Sequence, residues 1–475
     1  MKHIQNRTPL YDALVHFRAQ RPESYHVPGH KHGQVFANVG AGDFQTILSL
    51  DVTELPGLDD LHAPQDVIKE AEGLASSFFS SDHTFFLVGG STAGNLAMVL
   101  AACVPGDVII VQRNCHKSVM NAMELAGAKP VFLAPEYELE TGRYSKVTVS
   151  AVRRALARYP EAKAVVLTYP DYFGRTYDLK TIIDEVHQSE IPVLVDEAHG
   201  VHFHLGAPFP APALKLGADA VVQSAHKMAP AMTMASYLHI QSDYVDKQQV
   251  ASYLRMVQSS SPSYPLLVSL DLARYYLANM SESERENWQE GMHNVRICWK
   301  NSPYWDVLPL SKHDDPMKLT LSAASGVTGF QIANALEAEG LYPEMATQDQ
   351  VLLILGLELD AENSHLEEII GNVNHQLKNS PANATIKSRS IPFPHMQELD
   401  MAYAEMKQKK STFQAWSKAI GCIAAQPVIP YPPGIPIVVK GERITHEHAA
   451  QVSALLGSGT NFQDAAIQEG IHVYT

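Results

Sequence analysis

The stretch Pro192-Val-Leu-Val-Asp-Glu-Ala-His199 decides the fold, together with Val221-Val-Gln-Ser-Ala-His-Lys227. Each stretch opens with a short apolar run and continues into polar residues, among them Asp196 in the first and Lys227 in the second. Pyridoxal 5'-phosphate (PLP) requires a lysine amine that bonds to its aldehyde and a carboxylate that keeps its pyridine nitrogen protonated. The two residues together therefore predict a PLP-binding site.

Short apolar runs alternate with helical patterns from about residue 66 to residue 240, which is typical of an α/β layer architecture. Helices are predicted over Val67–Phe79 and from Ser91 onward. This alternation predicts a mostly parallel sheet that is covered on both faces and binds ligands at the carboxyl ends of its strands. The predicted strands are Thr84–Val88, Val108–Val111, Pro130–Leu133, Ala164–Leu167, Pro192–Val195 and Ala220–Gln223.

The pattern changes after Lys227, where Asp246 to Lys300 indicates long helices and 301–380 a mixture of helices and strands. We expect a large cofactor domain followed by smaller domains. The predicted parts are an N-terminal segment with interface loops (1–65), a PLP-binding large domain (66–300), a small α/β domain (301–395) and a C-terminal domain (396–475).

The composition excludes some partners. The 475 residues carry a formal net charge of −15, which argues against nucleic acid or an anionic membrane as partner and suits a small cationic substrate. No apolar segment follows the N-terminus and no stretch of 18 apolar residues occurs, so a cytoplasmic protein is expected. The cysteines have no metal or disulfide spacing, which favours reduced thiols; they are Cys103, Cys115, Cys298 and Cys422.

The segment Gly89-Gly-Ser-Thr-Ala-Gly-Asn95 joins a predicted strand to a predicted helix. Free backbone N–H groups and hydroxyls at a helix N-terminus bind phosphate. A Gly-Ser-Thr turn is also a common helix cap, and the segment lacks the lysine of a nucleotide-binding P-loop. We assign Ser91, Thr92 and the Ala93 amide to the PLP phosphate.

Polar and small residues surround the two central positions. Ser224 and His226, beside Lys227, are further candidates for the phosphate. Ala198 is small enough for a flat ring to lie against it, and His199 is placed to approach the phenolic oxygen of the ring or the substrate carboxylate. His116 follows the Val108–Val111 strand and is a candidate to stack on the ring opposite Ala198, although a lone histidine is more often simply structural.

Several histidines lie close together in the sequence but do not predict a metal site. Their spacing does not match HExxH, and no carboxylate stands beside them. We therefore expect no metal. The histidines are His26, His30, His32, His202 and His204.

Taken together, the motifs resemble those of the Orn/Lys/Arg decarboxylase family of fold-type I PLP enzymes, in a short form without the N-terminal wing domain. The matching stretches run in order along the chain. They are His26–His30, Asp51–Leu61, Gly90–Asn95, Arg113–Ser118, Asp196–His199, Gln223–Lys227, Ser259–Tyr264, Tyr431–Pro436 and Gly441-Glu442.

The resemblance implies an α/β large domain of the aspartate aminotransferase type with smaller α+β domains after it. It implies decarboxylation of arginine, lysine or ornithine to the amine and CO2, feeding polyamine synthesis, in a homodimer or higher oligomer with shared sites. The implied catalytic residues are Lys227, Asp196, His226 and His116, with Ser260 and Ser261 of a second subunit near the phosphate. Candidates for the substrate are Glu442, Asp59, Asp60 and His30.

Two alternatives remain at this point. One is another fold-type I reaction, such as transamination or elimination, because the same cofactor-binding residues serve them all. The other is a catalytically silent PLP-fold regulator, against which the presence of both Lys227 and Asp196 argues. The sequence leaves open the choice of substrate, the oligomeric state beyond a dimer and any effector.

Overall fold

A computed structural model describes residues 5–359, 364–379, 394–430, 436–457 and 459–475. Two 3₁₀ helices span Val201–Leu205 and Ala465–Gln468. The α-helices are α1 (Pro9–Ala19), α2 (Ala41–Leu48), α3 (Val67–Phe79), α4 (Gly90–Ala102), α5 (Lys117–Ala126), α6 (Val149–Arg158), α7 (Leu179–His187), α8 (Ala213–Leu216), α9 (Ala225–Met228), α10 (Lys247–Val257), α11 (Tyr264–Asn279), α12 (Glu282–Trp299), α13 (Gly329–Ala338), α14 (Ser364–Lys378), α15 (Tyr403–Met406), α16 (Trp416–Ala419) and α17 (His446–Gly457). The strands are β1 (His83–Leu87), β2 (Val108–Gln112), β3 (Lys129–Leu133), β4 (Tyr137–Glu138), β5 (Arg143–Tyr144), β6 (Ala164–Thr168), β7 (Val193–Asp196), β8 (Ala220–Gln223), β9 (Ser236–Ile240), β10 (Trp305–Val307), β11 (Lys318–Ala323), β12 (Met345–Ala346), β13 (Gln350–Ile354), β14 (Met396–Glu398), β15 (Ser411–Ala415) and β16 (Gly470–Tyr474).

The chain forms two compact units, and each contains several separate stretches of sequence. The first unit comprises the described residues up to Ala102, Glu190–Ala207 and Ala211–Ser281. The second comprises Cys103–Ser189, Pro208–Pro210 and the described residues from Glu282 onward. None of the helices in the described ranges is long and apolar enough to cross a membrane.

The strands of the first unit lie in the order β1-β9-β8-β7. β7 and β8 are parallel, whereas β9 runs antiparallel to both β8 and β1. The two pairings of β9 therefore depart from the predicted parallel arrangement, and β9 is absent from the predicted strands. All five residues of β9 are buried, but Ser236 and His239 interrupt its apolar run, which hides the strand from a hydrophobicity pattern.

Helix α4 packs closely on this sheet because Gly94 has no side chain. A Cβ atom at Gly94 would lie 2.5 Å from Cγ2 of Val222 on β8 and 2.9 Å from Cδ1 of Leu87 on β1. The backbone of a helix can approach a strand this closely only at a glycine. The face of the sheet that carries Val222 is therefore the face covered by α4.

A buried ion pair holds the N-terminal segment against α11. Asp271 and Arg274 are both fully buried and lie 2.6 Å apart. The Asp271 carboxylate also accepts the backbone N–H of Leu10 at 3.1 Å, while Arg274 donates to the carbonyl of Gln5 at 2.6 Å. These hydrogen bonds fix the entry of the chain into α1, since a charge that deep requires partners.

The second unit holds four strands in the order β6-β2-β3-β14, of which the first three are parallel. A second sheet, β10-β11-β13-β12, is antiparallel and packs around Trp299 and Trp305. A separate core gathers residues between Ala419 and Val473 beside the β15-β16 pair. The division at 65, 300 and 395 stays a prediction.

Candidate active site

Asp196 ends β7 and faces α4. It is the register partner of Val222, so the two side chains share the face on which Gly94 packs. Asn95 of α4 donates through Nδ2 to Asp196 Oδ2 at 3.0 Å. The other oxygen, Oδ1, is buried and has no hydrogen-bond partner in the part of the chain that the structure describes. A buried carboxylate oxygen without a donor is unfavourable, and a protonated pyridine nitrogen would satisfy it.

Lys227 lies on the single turn of α9, which follows β8 directly. Its Nζ is 3.2 Å from Nε2 of His199, which lies three residues beyond Asp196. Because β7 and β8 are parallel neighbours, the residues that follow them meet at one edge of the sheet. The structure thus brings Asp196, His199 and Lys227 to the same edge.

Three serine hydroxyls meet at the start of α4. Ser91 Oγ lies 2.7 Å from Ser224 Oγ and 3.4 Å from Ser236 Oγ. Gly90, with φ of +70°, turns the chain into the helix. Hydroxyls grouped at a helix N-terminus suit a phosphate group. In the same segment Thr92 is exposed and Ala93 is buried.

His226, beside the lysine, is fixed by the backbone. Its Nδ1 lies 3.0 Å from the carbonyl oxygen of Ala235. Burial lowers the pKa of His226, and the neighbouring Lys227 lowers it further, against the opposite effect of the Ala235 carbonyl. A neutral imidazole therefore donates through Nδ1 and keeps Nε2 as an acceptor.

The other residues predicted for the cofactor lie partly in the second unit and partly in the first. His116, in the second unit, is exposed and caps α5 by accepting the Ser118 N–H at 3.2 Å. In the first unit, Ser260 and Ser261 are exposed beyond the end of α10, whereas Ala198 is half-buried. The motif Tyr431–Pro436 lies outside the described residues except for Pro436.

The acids predicted to bind the substrate differ in how many hydrogen bonds their carboxylates already accept within this chain. Glu442 is 1% exposed, and Oε2 accepts from Arg113 at 2.7 Å and from the Val439 N–H at 2.8 Å. Its Oε1 accepts from Gln397 at 2.6 Å. Glu442 therefore has the contacts of a structural ion pair, and this geometry argues against its binding a substrate cation.

The carboxylate of Asp59 is likewise already hydrogen-bonded within this chain, whereas that of Asp60 is less so. Burial acts to raise the pKa of Asp59, but backbone N–H groups, including those of Gln65 and Asp66, outweigh it and lower the pKa. The Asp59 carboxylate therefore stabilises the loop that contains it by accepting these hydrogen bonds. Asp60 is half-buried and accepts the His62 N–H through Oδ1, and His30 contacts Asp51 at 3.1 Å.

Sequence reasoning missed Asn95 and Ser236 as members of the site. Asn95 stands four residues after Ser91 on the same helix, so a helical spacing argument would have placed both on one face. Ser236 had no local signal, because it opens the strand that was not predicted. Both contacts depend on which strands pair, which only the folded chain specifies.

Comparison with known proteins identifies the family of the chain. A family model described as Orn/Lys/Arg decarboxylase, major domain, matches residues 8–301, and the corresponding C-terminal domain model matches residues 384–463. The chain is 43% identical to the uncharacterized protein YaaO of Bacillus subtilis over 96% of each chain. It is 36% identical to the arginine decarboxylase of the same organism, over 97% of this chain and 96% of that one.

A solved structure shares the fold at low identity. The lysine decarboxylase LdcF of Francisella novicida superposes with a TM-score of 0.81 at 19% identity, over 98% of this chain and 80% of that chain. The α/β fold is therefore of fold type I, as predicted. PLP is the cofactor of this fold and family, and Asp196, with its unpartnered oxygen, fits it. The protein is a PLP-dependent amino-acid decarboxylase, and the chain belongs to the Orn/Lys/Arg decarboxylase family.

Proposed function

We propose that the protein decarboxylates a basic amino acid, with arginine as the first substrate to test. The observation that carries this proposal is the grouping of Asp196, His199 and Lys227 at one strand edge, with one Asp196 oxygen unpartnered. Relatives named arginine decarboxylase are 34–36% identical to the chain, whereas relatives named lysine decarboxylase are 22–25% identical. This difference favours arginine over lysine.

The roles of the residues follow from their chemistry. Lys227 would hold PLP through its amine at the aldehyde, the position that the substrate amine would take over. PLP, when bound, supplies an electron sink for the pair of electrons that the departing carboxylate leaves on Cα. Asp196 would keep the pyridine nitrogen protonated, and Asn95 holds Asp196 in place through its hydrogen bond. Lys227, or His226 when protonated, would deliver a proton to Cα.

The remaining residues bind and orient. We assign the phosphate to Ser91, Thr92, the Ala93 amide, Ser224 and His226, and we add Ser236 because it contacts Ser91. Ala198 and His116 are proposed to lie on opposite faces of the ring, and His199 beside its phenolic oxygen. Asp60 is proposed as the acid for the distal cation and His30 as a second substrate-binding candidate. Glu442 and Asp59 are not proposed, because donors of this chain already occupy their carboxylates.

The biological setting is also a proposal. We infer a cytoplasmic homodimer that supplies an amine for polyamine synthesis, with Ser260 and Ser261 of each chain completing the partner's phosphate site. The exposure of both serines in the single chain supports this arrangement. Sedimentation of the purified holoenzyme tests the dimer.

Incubating the holoenzyme with arginine, lysine or ornithine in turn, and measuring CO2 and the product amine, tests the activity. We expect one of the three amines, and no product from Lys227→Ala, which also loses the visible absorption band of bound PLP. Formation of a keto acid without CO2 would instead support transamination. The absence of any turnover, with PLP bound, would favour the silent regulator.

A further inference from the structure

Behind Asp196, on the opposite face of the first unit's sheet, four buried polar side chains form a row across four strands. They are Glu197 after β7, Gln223 on β8, His239 on β9 and Thr84 on β1, and each is fully buried. We call them the reverse-face row. Asp196 and Glu197 are consecutive, so their side chains point to opposite faces. Thr84 and His239 are register partners, as are His239 and Val221, which places Gln223 on that same reverse face.

Hydrogen bonds run through the row without a break. Gln223 Nε2 donates to Glu197 Oε2 at 2.6 Å, and Gln223 Oε1 lies 3.0 Å from His239 Nε2. His239 Nδ1 lies 2.8 Å from Thr84 Oγ1, which in turn lies 2.9 Å from Ser81 Oγ. Burial lowers the pKa of His239 well below its ordinary value, so its ring is neutral and offers one donor and one acceptor.

Glu197 is fixed on its other side as well. Its Oε1 accepts the Ala213 N–H at 2.7 Å, at the start of α8. A Cβ atom at Gly200 would lie 2.6 Å from Glu197 Cγ, so the turn after Asp196 closes tightly over this side chain. Glu197 thus joins β8 and α8 to the turn that carries His199.

The row lies directly beside the residues assigned to PLP. Glu197 follows Asp196, and Gln223 precedes Ser224, so the Glu197–Gln223 hydrogen bond ties β7 to β8 at the positions where both strands deliver side chains to the other face. We propose that Glu197 and Gln223 are positioning residues for PLP, which fix the spacing between Asp196 and the Ser224–Lys227 turn. This inference rests on the assignment of Asp196 and Lys227 to PLP made under the proposed function.

The row also predicts which substitution is tolerated. A glutamine at position 197 accepts from Ala213 through its oxygen and donates through its amide. Gln223 then turns its amide over, donates to His239 Nε2, and His239 donates through Nδ1 to Thr84. The hydrogen bond from Ala213 is unchanged and the three between residue 197 and Thr84 are kept with their direction reversed, so Glu197→Gln should retain the spacing, whereas Glu197→Ala removes the connection between the strands.

Asp219 provides a matched control on the same two strands. It is buried at the amino end of β8 and accepts the N–H of Val193, at the amino end of β7, at 2.7 Å. Asp219→Ala therefore also removes a buried carboxylate that ties β7 to β8, but at the ends away from Asp196 and Lys227. A loss of general stability should appear in both variants, and a loss of positioning only at 197.

The test is equilibrium dialysis of each purified holoenzyme against a series of PLP concentrations, with bound PLP read from its visible absorption and melting temperatures measured alongside. We expect Glu197→Ala to raise the Kd for PLP by about tenfold, equivalent to about 1.4 kcal/mol, with Glu197→Gln and Asp219→Ala close to wild type. An equal Kd for Glu197→Ala and Asp219→Ala would overturn the proposal.

If Glu197→Ala fails to fold, Gln223→Met decides the question, because it removes the connection between the strands while Glu197 keeps its hydrogen bond from Ala213. An unchanged Kd in Gln223→Met would overturn the proposal, and a raised Kd would support it. The readout is PLP binding, so it remains valid even if the wild-type holoenzyme releases no amine, a result that would contradict the proposed function alone.

Discussion

The hydrogen bond from Asn95 to Asp196 gives the sharpest prediction for activity. It is 3.0 Å long, and Asn95 and Asp196 are 1% and 3% exposed, so water does not replace it. A hydrogen bond to a charged group contributes about 1.5–3 kcal/mol. Asn95→Leu keeps the approximate size of the side chain and removes the donor, which leaves the buried carboxylate with one partner fewer at the moment it must hold the pyridine proton.

If that energy acts on the reaction, kcat should fall by about 10- to 100-fold with the basic amino acid that the wild type decarboxylates. The assay is initial-rate CO2 release at saturating PLP. Asn279→Leu is the control, because Asn279 also donates a hydrogen bond, to the Gln5 carbonyl at 3.1 Å, but from the end of α11. A kcat for Asn95→Leu equal to that of Asn279→Leu would refute the argument that this hydrogen bond supports Asp196.

Two further predictions concern stability. Burial raises the pKa of Glu72 from 4.5 to about 8, so between these pH values the folded protein holds a proton that the unfolded chain has released, and the free energy of unfolding should fall as pH rises. Glu72→Gln should reduce the slope of that free energy against pH by up to about 1.4 kcal/mol per pH unit in urea unfolding series, and parallel slopes for the two proteins would contradict this prediction. Gly94→Ala should destabilise the protein by about 1–3 kcal/mol and weaken PLP binding, because the new Cβ meets Val222 and Leu87. Gly73→Ala is the control: it has open space on α3 and should stabilise the protein by about 0.5–1 kcal/mol. Thermal melting measures both stability changes, and equal shifts would refute the packing argument.

The local pattern of the sequence predicted those elements whose signal lies within a few residues. The helix Val67–Phe79 was found at the predicted bounds, and Ala220–Gln223 is a strand as expected. The strand Ser236–Ile240 was missed, since its buried polar residues are satisfied only by partners on other strands, such as Thr84 for His239. Strand direction could not be predicted for the same reason: β1 was expected in a parallel sheet but pairs antiparallel with β9.

The site residues also differ in whether a local sequence signal predicts them. Asp196, Lys227, Ser91 and Ser224 carry signals within their own motifs, and the structure places them at neighbouring strand ends or at the start of α4. The role of Asn95 could not be predicted, because it depends on how α4 packs on the sheet through the contact of Gly94 with Val222. Glu442 was expected to bind the substrate, but in the structure it forms an ion pair with Arg113, a contact that no local signal predicts.

The order of the two acids in Asp196-Glu197 explains why only one of them is assigned to PLP. Consecutive strand residues face opposite sides, so one acid must lie on the α4 side and the other on the reverse side. Register decides which: Asp196 pairs with Val222, and Val222 lies against Gly94 of α4. The first acid therefore retains an oxygen for a cationic ring nitrogen, while the second has both oxygens occupied by Ala213 and Gln223. Burial raises the pKa of Glu197 to about 8, against the lowering effect of the hydrogen bonds from Gln223 and the Ala213 N–H. Of the four oxygens of this acid pair, Asp196 Oδ1 is the one that remains to accept from a pyridinium nitrogen.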